Sequence, residues 1–196
     1  MDPGEFKKCR FLDHALLREA DLEAVQQGLL DQQYFYHGTD TDCLESIEQI
    51  GLYPNQERSR SRYVERSEPP AMRFSTSKEV VDLSVRAAIQ KVHIDHPAGG
   101  AQPVLLRVGA ASLLNRRFGL DRSHMMVMLD LKNLLVGKDC LTASEFTSVA
   151  IRRGSLASYD LIPSDELEVF CSDLSRLLKE PESIRNEPSW KAISER

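Results

Sequence analysis

Two short stretches of this 196-residue chain gather side chains able to do chemistry. In YFYHGTD, Tyr34 to Asp40, three aromatics run into an imidazole (His37), a glycine (Gly38), a hydroxyl (Thr39) and a carboxylate (Asp40). In RFSTS, Arg73 to Ser77, three hydroxyls (Ser75, Thr76, Ser77) follow Phe74. A histidine placed between a strand and a helix has two readings. Either it packs beneath the turn, or it is aimed at a ligand that the neighbouring glycine lets approach the backbone. Alternating Ser and Thr on a strand commonly solvate an edge or pair across strands, so neither stretch is decisive alone.

The elements around them have clear markings. Apolar positions recur at helical spacing from Asp13 to Gln32, and QYFYHG then reads as an aromatic-rich strand. TDTDCLESIEQIG is a helix with cap oxygens at Thr39 to Thr41, acids in its first turn and Gly51 as its stop. Leu44, Ile47 and Ile50 are its expected buried face. From Asn55 to Pro70 the chain is polar and rich in Arg and Ser, an exposed loop by composition. Two roles stay open for that loop: a solvated connection, or a lid or docking surface whose Arg groups meet phosphates or acidic patches. AMRFSTS is a short strand and KEVVDLSVRAAIQKVH a helix, with Val80, Val81, Leu83, Ala87 and Ile89 available for burial. PVLLRV is the most convincing buried strand, and SVAIRRG, LASYDLI and ELEVF read as late strands. The methionines of RSHMMVMLD are expected in the core. His14, His93, His96 and His124 stand apart and read as structural or surface residues. Helices between the early strands and a cluster of later strands predict an α+β fold.

Composition narrows the function. Hydrophobic content of 41% and charge of 28% are those of a globular domain, and the net charge of −5 gives no overall footprint for nucleic acid. Four dispersed cysteines match no metal spacing and are expected as free thiols. No apolar run approaches the roughly 18 residues of a membrane span. The opening MDPGEF lacks a signal peptide's apolar stretch and reads as a cloning scar. P-loop, dinucleotide-fold glycine and nucleophile-elbow motifs are all missing.

In combination the two stretches say more. F-Y-H-G-T, a helix ending I-G-L-Y-P, the strand F-S-T-S feeding a second helix, then PVLLRV and SVAIRRGSLASYDLIPSDELEVF resemble an ADP-ribosyltransferase domain over Tyr34 to Phe170. The resemblance implies a split antiparallel sheet with flanking helices and an added N-terminal helical element. It implies NAD as the substrate, cleavage of its N-glycosidic bond through an oxocarbenium-like transition state, and transfer of ADP-ribose to a protein side chain. YHGT resembles the first strand of the His–Tyr–Glu class, and FSTS the second strand of the Arg–Ser–Glu class. Such a mixture resembles the CteC-like chimeric effector family, bacterial proteins that modify a threonine of ubiquitin using an Asp–Glu pair.

Carried onto this sequence, the resemblance makes Tyr36, His37, Gly38, Thr39, Phe74, Ser75, Thr76 and Ser77 the NAD-binding set. Gly38 would open the backbone to the nicotinamide amide, His37 would bond a ribose hydroxyl, and Phe74 would stack near nicotinamide. His37, Asp40 and Glu145 are the expected catalytic residues. The chain departs from the family pattern here: aligning the RGS turn puts Ser148 where the glutamate belongs, so Glu145 needs a bulge to reach the site. Glu166 and Glu168 read as solvated. Segments 7–33, 34–175 and 176–196 are expected to be the helical element, the catalytic domain and a polar tail docked at most by Trp190. The resemblance further implies a soluble monomer, made in a bacterial cytoplasm and delivered into a host cell, with a protein acceptor such as ubiquitin and with neither nucleic acid nor membrane as partner. Two rivals remain. One is an RNA 2′-phosphotransferase of the same fold, and the other a domain that binds NAD, ADP-ribose or a protein without turnover.

Overall fold

The computed structural model describes residues 12–54, 71–76, 81–121, 124–152, 156–179, 184 and 188–195, the side chains of 81, 82, 125, 152 and 175 apart. The Arg-rich loop 55–70 and Ser77 lie outside the described residues.

Aromatic and branched residues build β1 (Tyr34–Asp40), which sits at the centre of an antiparallel sheet. It pairs with β2 (Met72–Thr76) on one side and β3 (Pro103–Gly109) on the other. The remaining strands are β4 (Phe118–Leu120), β5 (Leu156–Ser158), β6 (Leu167–Phe170) and β7 (Trp190–Ala192). Among the described residues the order is β4-β5-β2-β1-β3-β6-β7. The expected α+β class is therefore what the chain adopts.

Pairing across the sheet is uneven. β1 and β3 match along seven residue pairs, from Tyr34↔Gly109 to Asp40↔Pro103. β1 and β2 match at two, Phe35↔Thr76 and Tyr36↔Ser75. Beyond those pairs β1 keeps to β3 while β2 keeps to β5, through Phe74↔Leu156 to Met72↔Ser158. Two half-sheets thus meet over a short seam and part at His37.

Helices cover both faces. α1 (Leu22–Leu30) packs on α6 (Ala143–Arg152), and α2 (Thr41–Ile50) follows β1 directly. One core joins Phe35, Phe74, Leu106, Phe118 and Phe146 with Leu22, Val25 and Leu29 of α1, so the N-terminal helix shares the core of the sheet. A second core on the opposite face gathers Tyr36, Leu105, Phe170, Leu174 and Trp190 with Val85 and Ala88 of α3 (Arg86–Asp95). Burying a large apolar side chain completely is worth about 1.5–3 kcal/mol, which makes the ten or more fully buried ones the main source of stability.

Several local expectations are corrected. The described part of SVAIRRG, Ser148 to Arg152, is the second half of helix α6, not a strand; Phe146, Val149 and Ala150 supply its buried stripe at i, i+3 and i+4. The supposed polar tail provides β7, which pairs with β6 from Phe170↔Trp190 to Glu168↔Ala192, and Ile184 and Ile193 are buried with it. Ile50 is exposed because, six residues beyond Leu44, it lies off the line through Leu44 and Ile47. A π-helical turn at Val81–Val85 shifts the face of the next helix, so Val85 and Ala88 are buried and Ala87 is exposed. In α5 (Met125–Leu134) the core contacts come from Val127 and Leu131, while Met126 and Met128 are at the surface. A short α4 (Ala110–Leu114) links β3 to β4.

Candidate functional site

Strand geometry sorts the first stretch onto two faces, because successive side chains of a strand point opposite ways. Tyr36, Gly38 and Asp40 face α3; Phe35 and His37 face the larger core. On β2, Phe74 shares the face of His37, and Ser75 shares that of Tyr36.

His37 and Phe74 meet where the half-sheets separate. Their ring centroids are 5.6 Å apart, tilted at 49°. His37 Nδ1 lies 2.8 Å from the carbonyl oxygen of Arg73. A carbonyl only accepts, so Nδ1 carries the proton and donates it. Burial pushes the imidazole below its ordinary value of 6.5, and the charges of Lys91 and Arg73 push the same way against the bond to Arg73. The neutral ring then presents Nε2 as a hydrogen-bond acceptor, the form suited to receiving a hydroxyl. Arg73 itself reaches Asp121, Nε to Oδ2 at 2.9 Å.

The other described members of the expected NAD-binding set, Ser77 lying outside the described residues, make contacts within the fold. Ser84, in the π-helical turn, donates to the Tyr36 carbonyl at 2.8 Å; its proton thus engaged, it accepts from Ser75 Oγ. Phe74, Ser75 and Thr76 are buried, and Thr76 Oγ1 donates to the Ile151 carbonyl of α6 at 3.2 Å. Tyr36 is buried on the opposite face against Trp190, with centroids 5.8 Å apart. Thr39 is buried as well. Gly38 has a reason other than ligand access. A Cβ there would come within 2.0 Å of the Ser84 carbonyl oxygen, so the missing side chain admits the backbone of the π-helical turn.

Neither expected carboxylate meets His37 at the seam: Asp40 points to the opposite face, and Glu145 opens a helix that covers His37's own face but is engaged at the helix's start. Asp40 caps α2, accepting from Cys43 N at 3.0 Å, and its buried carboxylate contacts the Lys91 ammonium. Glu145 needs no bulge, because it lies in the first turn of α6 as half of a capping box. Its carboxylate accepts from Thr142 N at 2.9 Å while its own N–H donates to Thr142 Oγ1 at 3.3 Å. The hydrogen bond from Lys138, then that from Thr142 N, lowers its pKa from 4.5 to about 2. Six residues of helix, about 9 Å of rise, separate Glu145 from Ile151 at the end of α6 that meets β2. Ser148 is on the same helix.

Glu166 and Glu168 are partly solvated, as expected, and are also held in ion pairs. Glu166 takes Arg116 Nη2 at 2.7 Å and Nη1 at 3.0 Å, and the Ser112 hydroxyl bonds it too. Glu168 takes Arg107 Nε at 2.7 Å and Nη2 at 3.1 Å. Arg107 in turn lies 4.0 Å from the ring centre of Tyr34 and 4.4 Å from that of Trp190.

Sequence reasoning missed three of these features. The Arg73 carbonyl and Ser84 leave no sequence signal, since backbone acceptors and lone serines are everywhere. T-A-S-E, Thr142 to Glu145, is a legible capping box. Among the described residues no group of three or more His, Cys, Asp or Glu is placed to hold a metal, and no helix is long and apolar enough to cross a membrane. No family model matches the chain, and no curated protein or solved structure matches it either.

Proposed function

We propose that the chain is an NAD-binding domain of the ADP-ribosyltransferase type, acting on a protein side chain. One observation carries the reading. YHGT and the described FST, Phe74 to Thr76, more than thirty residues apart in sequence, come side by side at the seam of a divided antiparallel sheet, with His37 against Phe74 and a neutral imidazole offering Nε2. That is the pairing the resemblance requires of a nicotinamide-ribose site. His37 receives a ribose hydroxyl, and the parting strands β1 and β2 provide main-chain groups for the amide. Ubiquitin is the first acceptor to try, on the resemblance alone.

A second reading is favoured by the carboxylates. Asp40, Glu145, Glu166 and Glu168 are all engaged in caps or ion pairs, and a transferase needs one to stabilise the developing positive charge. Binding of NAD without turnover satisfies every contact described.

Calorimetric titration with NAD, paired with nicotinamide release in a eukaryotic lysate containing labelled NAD, tests both. Saturable binding that weakens about tenfold in His37→Gln, as expected for losing one good hydrogen bond, supports the site. Label transferred to a lysate protein supports the transferase. Binding with no release of nicotinamide replaces it with the binding module, and absence of binding ends both readings.

A further inference from the structure

Next to the proposed site, but independent of it, a thiol and an amine from different elements come together. Cys43 is in the first turn of α2 and Lys91 in the middle of α3, with Nζ 3.4 Å from Sγ. Both are partly buried, so each is reachable by a small oxidant while neither side chain is loose. The amine is held there by further contacts: the Asp40 carboxylate touches it and Asp95 Oδ2 lies 3.8 Å away. His96 completes the surroundings, its Nε2 4.0 Å from Asp40 and its Nδ1 3.5 Å from Asp42. Cys43, Cys140 and Cys171, the described cysteines, form no disulfide, and the Lys91 amine lies against the Cys43 sulfur.

We propose that Cys43 and Lys91 form a covalent bridge through one oxygen atom, S–O–N, when the protein meets a peroxide, locking the start of α2 to α3. The chemistry balances in two stages. Hydrogen peroxide first oxidises the thiol to a sulfenic acid, with the S–H bond replaced by S–O–H and one water released. The sulfenic oxygen then joins the deprotonated Lys91 nitrogen. An O–H and an N–H bond break, an O–N bond forms, and a second peroxide takes the two electrons and two protons and leaves as two waters. Sulfur and nitrogen each lose two electrons, matching the four accepted by two peroxides. Asp40, already against the ammonium, accepts the proton that lysine must shed before its nitrogen reacts. Dithiothreitol reverses the bridge in two two-electron steps: one dithiol breaks the O–N bond, returning the amine and a sulfenic acid, and a second reduces the sulfenic acid to the thiol with release of water.

Intact-mass spectrometry of the full chain before and after graded hydrogen peroxide tests this. The expected product is heavier by about 14 Da, one oxygen gained and two hydrogens lost, and returns to the starting mass with dithiothreitol. Protease digestion should yield a cross-linked peptide joining the Cys43 and Lys91 segments. Cys43→Ser and Lys91→Arg should each abolish it, the arginine preserving the positive charge beside Asp40. The proposal fails if the wild type gains only multiples of about 16 Da on Cys43, if the bridge mass persists in Lys91→Arg, or if peptides of treated wild-type protein show Cys43 and Lys91 unmodified.

Discussion

The His37 imidazole and the Arg73 carbonyl meet at 2.8 Å in the opening between β1 and β2, one step past the last backbone pair of those strands. A side chain has taken the place where the ladder would continue, and its bond fixes which ring nitrogen is protonated. His37→Gln is expected to leave the carbonyl poorly satisfied and to cost about 1–2 kcal/mol in urea unfolding. The pH dependence has a definite sign. Because the folded value lies below 6.5, the unfolded chain binds the proton more readily. Stability from this group is intact above 6.5 and is lost as pH falls from there through the lower folded value. An NMR titration should show a depressed His37 pKa, and the wild-type loss of stability over that range should be smaller in His37→Gln.

Gly38→Ala should damage the fold whether or not the protein binds a ligand. Its Cβ would sit 2.0 Å from the Ser84 carbonyl oxygen and 3.0 Å from Ala88 N, both backbone atoms that cannot swing aside. Moving the π-helical turn outward would loosen the Ser84 bond to Tyr36. A loss of about 2–3 kcal/mol is expected from the denaturation midpoint. A wild-type midpoint with weakened NAD binding would restore the view that Gly38 serves ligand approach.

The capping box at the start of α6 gives the clearest test of where Glu145 acts. Thr142→Ala should cost about 1 kcal/mol as a lost N-cap. Glu145→Ala should lower the melting temperature and leave NAD affinity unchanged. With a folded pKa of about 2 against 4.5, its stabilising effect is present above 4.5 and disappears as pH falls toward 2. A Glu145→Ala protein with normal melting but no ADP-ribosyl transfer would return the catalytic role to this residue.

Much of the architecture was legible because local and global preferences agree. Thr39 to Thr41 offered caps and Asp40 supplies one; Gly51 marked the helix stop and has φ of 94°. PVLLRV read as a buried strand and is β3, buried from Val104 to Val108. The failures arise where a longer-range partner decides. Ser148 to Arg152 carry strand-forming Val and Ile, yet the capping box upstream and packing against α1 make them helical. Trp190 to Ala192 look like part of a tail until the edge of β6 gives them a ladder. The chosen site residues were the right neighbours in one respect, His37 with Phe74, but alternation along each strand sends Tyr36, Asp40 and Ser75 to the other face. A list of motif residues cannot convey that, whereas a period of two applied to β1 and β2 would have.

Arg107 is the test of how that edge strand is held. Its guanidinium lies between the rings of Tyr34 and Trp190 and makes two hydrogen bonds to Glu168, joining β1, β3, β6 and β7 through one side chain. The guanidinium is shielded, with Arg107 7% exposed, while the Glu168 side chain is 36% exposed, so removing the cation leaves two ring faces and a partly solvated carboxylate without it. Arg107→Ala should cost about 2–3 kcal/mol. Because Trp190 is the sole tryptophan, its emission should shift to longer wavelength as β7 loosens. Arg107→Lys keeps the charge but loses the planar fork, and should recover only part of the stability. If Arg107→Ala leaves the Trp190 emission unchanged, the strand is held by its ladder and by the Trp190 Nε1 bond to the Ile184 carbonyl, and the cation is incidental to it.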